Sequence, residues 1–203
     1  MVVAKTVKVR IAGQEHSIRC LTDRSQYADA DGRAERAGVP PASWPLFGVL
    51  WPAGIALAEE MSSFAVDGKR ILEAGCGLAL PSLVLKRRGA DVTATDHHPE
   101  AEEFLRFNAR ANGIPAVPFK SGSWNDVQLG AFDLIIGADL LYEPDQPALL
   151  ASFLERHAAP GAEIVIADPG RRQLAAFRKL MAARNRKCAE TRFPPRGRIL
   201  RFA

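Results

Sequence analysis

One stretch constrains this chain more than any other. Residues 70–96 run Arg-Ile-Leu-Glu-Ala-Gly-Cys-Gly through to Thr-Ala-Thr-Asp. Ile71 and Leu72 open a short apolar run of strand character, Glu73 follows, and Gly75-Cys76-Gly77 interrupt it. Leu80, Leu83, Val84 and Leu85 then recur at helical spacing, and Val92 to Thr95 read as a second strand closed by Asp96. Glycines let the backbone pass close beneath a nucleoside, and the helix start offers free N–H groups. A carboxylate ending the second strand can accept hydrogen bonds from two ribose hydroxyls. The pattern predicts a site for a nucleoside-bearing cofactor.

What the stretch lacks narrows the cofactor. A dinucleotide fingerprint needs a third glycine so that helix and pyrophosphate can approach; here Leu80 and Pro81 stand in its place. No Lys-Ser or Lys-Thr pair follows the glycines, which excludes a phosphate-gripping loop. An adenosine without phosphates remains, and S-adenosylmethionine fits.

The rest of the chain supplies the frame. Its 203 residues, 47% hydrophobic and 25% charged, suffice for one α/β domain with little left for another. No apolar run approaches a membrane span, and Met1 to Arg10 alternates valine with lysine rather than forming a signal-peptide core. Cys20, Cys76 and Cys188 are few, odd in number and widely spaced. They point to a reducing cytoplasm and to neither disulfides nor a metal site. His97 and His98 read as loop residues after the ribose acid. The net charge of +4 is uneven: Arg171 to Ala203 holds eleven Lys or Arg residues against Glu190 alone. Such a flank attracts an acidic protein surface or a nucleic acid, or is simply a solvated helix face. No interleaved aromatics mark a base-stacking platform there.

Residues 6–21 alternate apolar and polar around Ala12-Gly13-Gln14 and predict a β-hairpin, and residues 22–43 an extended or partly mobile segment. Residues 47–61 hold a helix, as do Pro99–Asn112, 145–157 and 173–184. Strands are expected at Ile114–Phe119, Phe132–Gly137, Ala162–Ala167, Cys188–Phe193 and Arg198–Phe202. This alternation predicts a parallel sheet with right-handed crossovers, finished by an antiparallel pair. The expected division is an amino-terminal hairpin and extended segment, 1–43, followed by a catalytic domain, 44–203.

Every chemistry-bearing position falls at the carboxyl end of a predicted strand, where such sheets bind ligands. These are Gly75-Cys76-Gly77, Asp96, Ser123-Trp124-Asn125-Asp126, Ala138-Asp139-Leu140-Leu141-Tyr142 and Asp168-Pro169-Gly170-Arg171. Trp124 either stacks beside an adenine or plugs the sheet edge. Asp139 and Tyr142 either aim at one incoming group or serve as turn and capping residues. Asp168 to Arg171 is a tight turn or a substrate clamp.

Together with Leu50-Trp51-Pro52-Ala53-Gly54, these motifs resemble the class I, seven-strand methyltransferases over residues 44–203. More narrowly, they resemble the Asp-x-x-Tyr protein lysine methyltransferases, which include the electron-transfer-flavoprotein β-subunit enzyme. The resemblance implies a Rossmann-like α/β fold with a seven-stranded, mostly parallel sheet and an antiparallel carboxyl-terminal strand, here with a β-hairpin extension. It implies that Trp51, Gly75, Cys76, Gly77, Asp96, Trp124 and Ala138 line the cofactor, and Glu73, which precedes the turn, is expected among the cofactor-binding residues with them. It implies that Asp139 and Tyr142 face a target amine, with no metal. The expected partner is a protein lysine, with a small amine as the alternative. Asp-Leu-Leu-Tyr departs from the Asn/Asp-Pro-Pro-Tyr signature of base-amine methylation, which argues against RNA or DNA.

Overall fold

Apolar runs without polar alternation have to be covered on both faces, and the inner strands of this protein are. The protein is described here by a computed structural model over residues 3–24, 27–125 and 128–203. In chain order its strands are β1 (Ala4–Ile11), β2 (Gln14–Leu21), β3 (Arg70–Ala74), β4 (Asp91–Asp96), β5 (Phe119–Ser121), β6 (Phe132–Ala138), β7 (Ala158–Asp168), β8 (Cys188–Phe193) and β9 (Gly197–Phe202). The helices are α1 (Arg33–Arg36), α2 (Pro52–Met61), α3 (Leu80–Arg87), α4 (Ala101–Ala111), α5 (Gln146–His157) and α6 (Leu174–Ala182). Strands β1 and β2 form the antiparallel hairpin, and the other seven form one sheet in the order β5-β4-β3-β6-β7-β9-β8. Strands β3 to β7 are mutually parallel, while β9 runs antiparallel to β7 and β8 antiparallel to β9.

Successive residues of each inner strand point to opposite faces. Ile71, Val92, Leu134, Ile136 and Val165 pack with α2, α3, α4 and the hairpin residues Ile11 and Ile18. Leu72, Ala74, Ile135, Ile164 and Ile166 pack with α5 and α6, notably Leu154 and Phe177. The chain leaves β3 toward one edge and returns with β6 on the other side. The resulting switch point opens a crevice at the carboxyl ends of these two strands.

Three elements differ from expectation. The strand expected over Ile114–Phe119 pairs only at Phe119–Ser121, because Pro115 and Pro118 have no N–H to give a ladder. The segment 22–43 carries α1 and a 3-10 turn over Pro41–Ser43 instead of being extended throughout. Strand β7 begins at Ala158, where it pairs with Phe132, rather than at Ala162.

The hairpin is held to the sheet domain by side chains imitating a strand. Asn108 lies on α4 and Asn112 caps its carboxyl end, one turn further on. Arg19 N–H donates to Asn108 Oδ1 at 2.7 Å, and Ser17 N–H donates to Asn112 Oδ1 at 2.8 Å. The two carboxamides return donors to the Arg19 and Ser17 carbonyls, at 3.4 and 2.8 Å. The open edge of β2 is thereby satisfied. Asn108 is fully buried, so Asn108→Ala strands the Arg19 N–H and carbonyl without partners. Loss of about 2 kcal/mol is expected, read as a lowered urea midpoint.

Candidate active site

The glycine turn is built by the protein's own packing. Gly75 and Gly77 both have positive φ, +58° and +52°. A Cβ on Gly75 would lie 2.5 Å from Leu140 Cδ2 and 3.5 Å from the Trp124 ring. One on Gly77 would lie 2.9 Å from the Phe47 carbonyl oxygen. The segment 46–51 therefore lies directly on the turn, and Trp51 fastens it by donating its indole N–H to the Leu46 carbonyl at 3.0 Å. Cys76 is buried, its N–H given to the Thr95 carbonyl at 2.9 Å, and burial pushes its thiol well above the ordinary range. It serves the turn through its backbone.

Two carboxylates flank the turn at different depths. Glu73 lies below it, 2% exposed, accepting from Ser82 N–H at 2.8 Å and from the Ser82 hydroxyl. This bond ties strand β3 to the start of α3, and burial pushes the Glu73 carboxyl up to about 8. Asp96 lies at the rim. Gly77 N–H donates to its Oδ2 and His98 N–H to its Oδ1, both at 2.8 Å. Desolvation raises its carboxyl, against the pull of these two donors.

His98, expected as an ordinary loop residue, is 4% exposed and stacks on Phe47 with ring centroids 3.9 Å apart at 11°. Tyr27 meets the same imidazole edge-on, 5.8 Å away. Glu100 N–H donates to His98 Nδ1 at 3.2 Å, which leaves the proton on Nε2, 3.5 Å from the Tyr27 hydroxyl. Burial lowers His98 to about 4, so it is neutral at physiological pH. The stack clamps segment 46–51 over the turn beside Asp96. Nothing local in the sequence marks it; a lone histidine pair looks the same when exposed.

On the other side of the switch point, Ala138 ends β6 and Asp139 adopts a left-handed φ of +64°, its N–H given to the Ala167 carbonyl at 2.9 Å. Asp139 is 8% exposed and forms an ion pair with Arg171. Arg171 is set by the preceding loop: Asp168 Oδ1 accepts the N–H groups of Gly170 and Arg171, both at 2.7 Å. Of the two alternatives for this loop, the hydrogen bonds to Asp168 form the turn, and Arg171 pairs with Asp139 of the same chain.

Tyr142 is 37% exposed. Gln146 Oε1 accepts the Tyr142 and Glu143 N–H groups at 2.7 and 2.9 Å, fixing the loop after Asp139. Burial and, more weakly, the charge of Asp96 raise the phenol above its ordinary value. Trp124 packs edge-on against Phe153, centroids 5.2 Å apart, while its rim reaches the Gly75 turn. It lies between α5 and the glycine turn. Asp126 lies outside the described residues. A half-open depression of about 360 Å³ lies elsewhere, at the amino ends of β3 and β4 between Asp67, Lys69, Arg88 and Asp91, and contains none of these residues.

Sheet order, switch point and the antiparallel pair at the edge define a class I methyltransferase fold. The protein superposes over its whole length on the T. thermophilus 16S rRNA N2 G1207 methyltransferase, solved with AdoMet and guanosine. The TM-score is 0.65 at 16% identity, over 51% of that chain. Residues 46–185 match the model of the lysine methyltransferase family, and the chain belongs to that family. It is 31% identical over 163 residues to the mouse electron transfer flavoprotein beta subunit lysine methyltransferase, covering 78% of this chain and 62% of that one. It is 37% identical over 130 residues to the zebrafish (Danio rerio) protein N-lysine methyltransferase METTL21A, covering 58% of each. The chain thus spans about three fifths of the length of these relatives.

Proposed function

We propose that the protein is an S-adenosylmethionine-dependent protein-lysine N-methyltransferase whose site lies at the carboxyl ends of β3, β4 and β6. One observation carries the cofactor assignment. The Gly77 N–H, which a pyrophosphate would need, is already given to Asp96. A turn closed by a carboxylate repels phosphate and suits a nucleoside bearing a positive charge. Family membership supports the same reading.

In this proposal the Asp96 carboxylate accepts the ribose hydroxyls beside the Gly75-Cys76-Gly77 turn. Trp51, Trp124 and Ala138 border the adenosine and the donor, and Glu73 holds the turn by anchoring α3. When bound, the cofactor supplies a methyl group on a sulfonium: the S–CH3 bond breaks with its electron pair left on sulfur as an amine lone pair forms the N–CH3 bond. The chain therefore needs neither a metal nor a covalent intermediate and works mainly by alignment. A free lysine is protonated at neutral pH, with pKa about 10.4, and must lose a proton before attack. Asp139 is assigned to accept the amine N–H at its carboxylate and to balance the charge that develops on nitrogen. Tyr142 is assigned as the wall and a second hydrogen-bond partner. Cys20, Cys76 and Cys188, odd in number and widely spaced in the sequence, support a reducing compartment such as the cytoplasm.

Two measurements test this reading. Titration calorimetry with S-adenosylmethionine and with its demethylated product should give saturable heat; none from either refutes the cofactor assignment. Labelled cofactor and lysate should then give a signal that protease removes and nuclease does not, with the methyl group found on lysine by mass spectrometry. A nuclease-sensitive signal, or methyl on another residue, refutes the acceptor.

A further inference from the structure

The carboxylate assigned to the incoming amine already holds a cation. Asp139 Oδ1 and Arg171 Nη1 are both buried, and apart from their ion pair neither has a hydrogen-bond partner among the described residues. Separating such a pair leaves two uncompensated buried charges, which is strongly unfavourable unless each finds a new partner. The two members are not equally placed. The Arg171 side chain is 26% exposed and that of Asp139 7%, so Arg171 is the more accessible member and the one better placed to yield.

The surroundings of Arg171 are basic. Its loop touches the β8–β9 turn, where a Cβ on Gly170 would lie 2.9 Å from the Arg196 carbonyl oxygen. Arg198 is the register partner of Asp168, and Arg192 that of Arg198. Glu190 serves Arg178, Arg192 and Arg198 at once, at 2.8, 3.9 and 2.8 Å. Arg172 and Arg196 are exposed and have no ion-pair partner among the described residues. The β8–β9 flank of the site, beside Arg171, therefore carries surplus positive charge. Such a flank repels an isolated lysine and draws in an acidic surface.

We propose that the acceptor lysine enters by exchange of ion pairs: its cation replaces Arg171 on Asp139, and an acidic residue beside it on the substrate takes up the released Arg171. The substrate class is thus a lysine in an acidic neighbourhood of a protein. Asp139 and Arg171 are never both without a partner, and the lysine loses its proton to solvent only after it has been seated. The proposal rests on the lysine-methylating reading above.

The test uses the full chain and the lysate protein whose labelled lysine has been mapped. Affinity is measured by calorimetry with cofactor-free enzyme, beside KM and kcat. Neutralising the substrate's acidic neighbours, Asp to Asn or Glu to Gln, should weaken Kd and raise KM by about tenfold, with kcat changed less than about threefold. With Arg171→Gln, native and neutralised substrates should bind within about twofold of one another, because the interaction they differ in is gone. Arg171→Glu paired with a substrate whose acidic neighbour is changed to Lys should recover affinity that Arg171→Glu alone loses. A structural role for Arg171 gives defects that no substrate change relieves, and that result overturns the proposal. So does discrimination that survives in Arg171→Gln, or an acceptor lysine with no acidic neighbour. Absence of any labelled lysine overturns the functional reading itself, and this inference with it.

Discussion

Asp139→Asn should bind S-adenosylmethionine within about threefold of the parent and turn over roughly 10²–10³ times more slowly, the usual effect of removing one electrostatic contact to a transition state. Asparagine is the informative replacement because of the backbone. Residue 139 sits at φ +64°, a conformation that Asn tolerates and Ala resists. Its N–H bond to the Ala167 carbonyl survives the change. The variant thus removes the charge while keeping the loop, and leaves Arg171 facing an amide. Calorimetry with the cofactor and a labelled-methyl assay separate the alternatives. Joint loss of binding and turnover would assign Asp139 to the architecture of the crevice instead of to the amine.

Glu73→Gln is expected to stabilise the protein by an amount that grows as pH rises from about 5 to about 8. Burial raises the Glu73 carboxyl from 4.5 to about 8, with the Ser82 hydrogen bonds opposing and the charge of Asp96 adding. Between those values the folded chain holds a proton that the unfolded chain has released. The unfolded state then binds fewer protons, so stability falls as pH rises through this window. The shift corresponds to on the order of 3–5 kcal/mol when complete, above pH about 8. Gln has no proton to lose, and its carbonyl accepts the same two bonds from Ser82. Urea unfolding of parent and variant should give similar stabilities near pH 5 and a difference of a few kcal/mol, in favour of Gln, near pH 9. A difference that does not change with pH would mean that Glu73 does not titrate in this range.

Much of the site was legible because its signals are local. A glycine turn between a strand and a helix, and an acid closing the next strand, depend on near neighbours in the chain. Topology then gathers strand ends automatically, which is how Gly75, Asp96, Trp124, Ala138 and Asp139 reached one edge of the sheet. The truncated strand at Phe119 was legible in principle, since Pro115 and Pro118 announce missing donors. Glu73 was expected among the cofactor-binding residues, but it is buried and its bonds go inward to Ser82, a distinction of depth that spacing does not encode.

Other features have no local signature. The Phe47–His98 stack joins residues from segments that meet only when the 46–51 stretch crosses the turn. The asparagine pair that closes β2 depends on α4 lying beside the hairpin. The Asp139–Arg171 pair exists because β6 and β7 are neighbours and end at the same level.

The amino-acid order alone determined the strand–helix alternation, the parallel sheet and the kind of nucleoside the turn can admit. Periodicity, glycine and the absence of phosphate-gripping residues act over a few positions. Tertiary structure decided which charges face one another and how deeply each is buried. Those energies depend on distance and on exclusion of water between segments far apart in the chain, and neither quantity is written in any short run of residues.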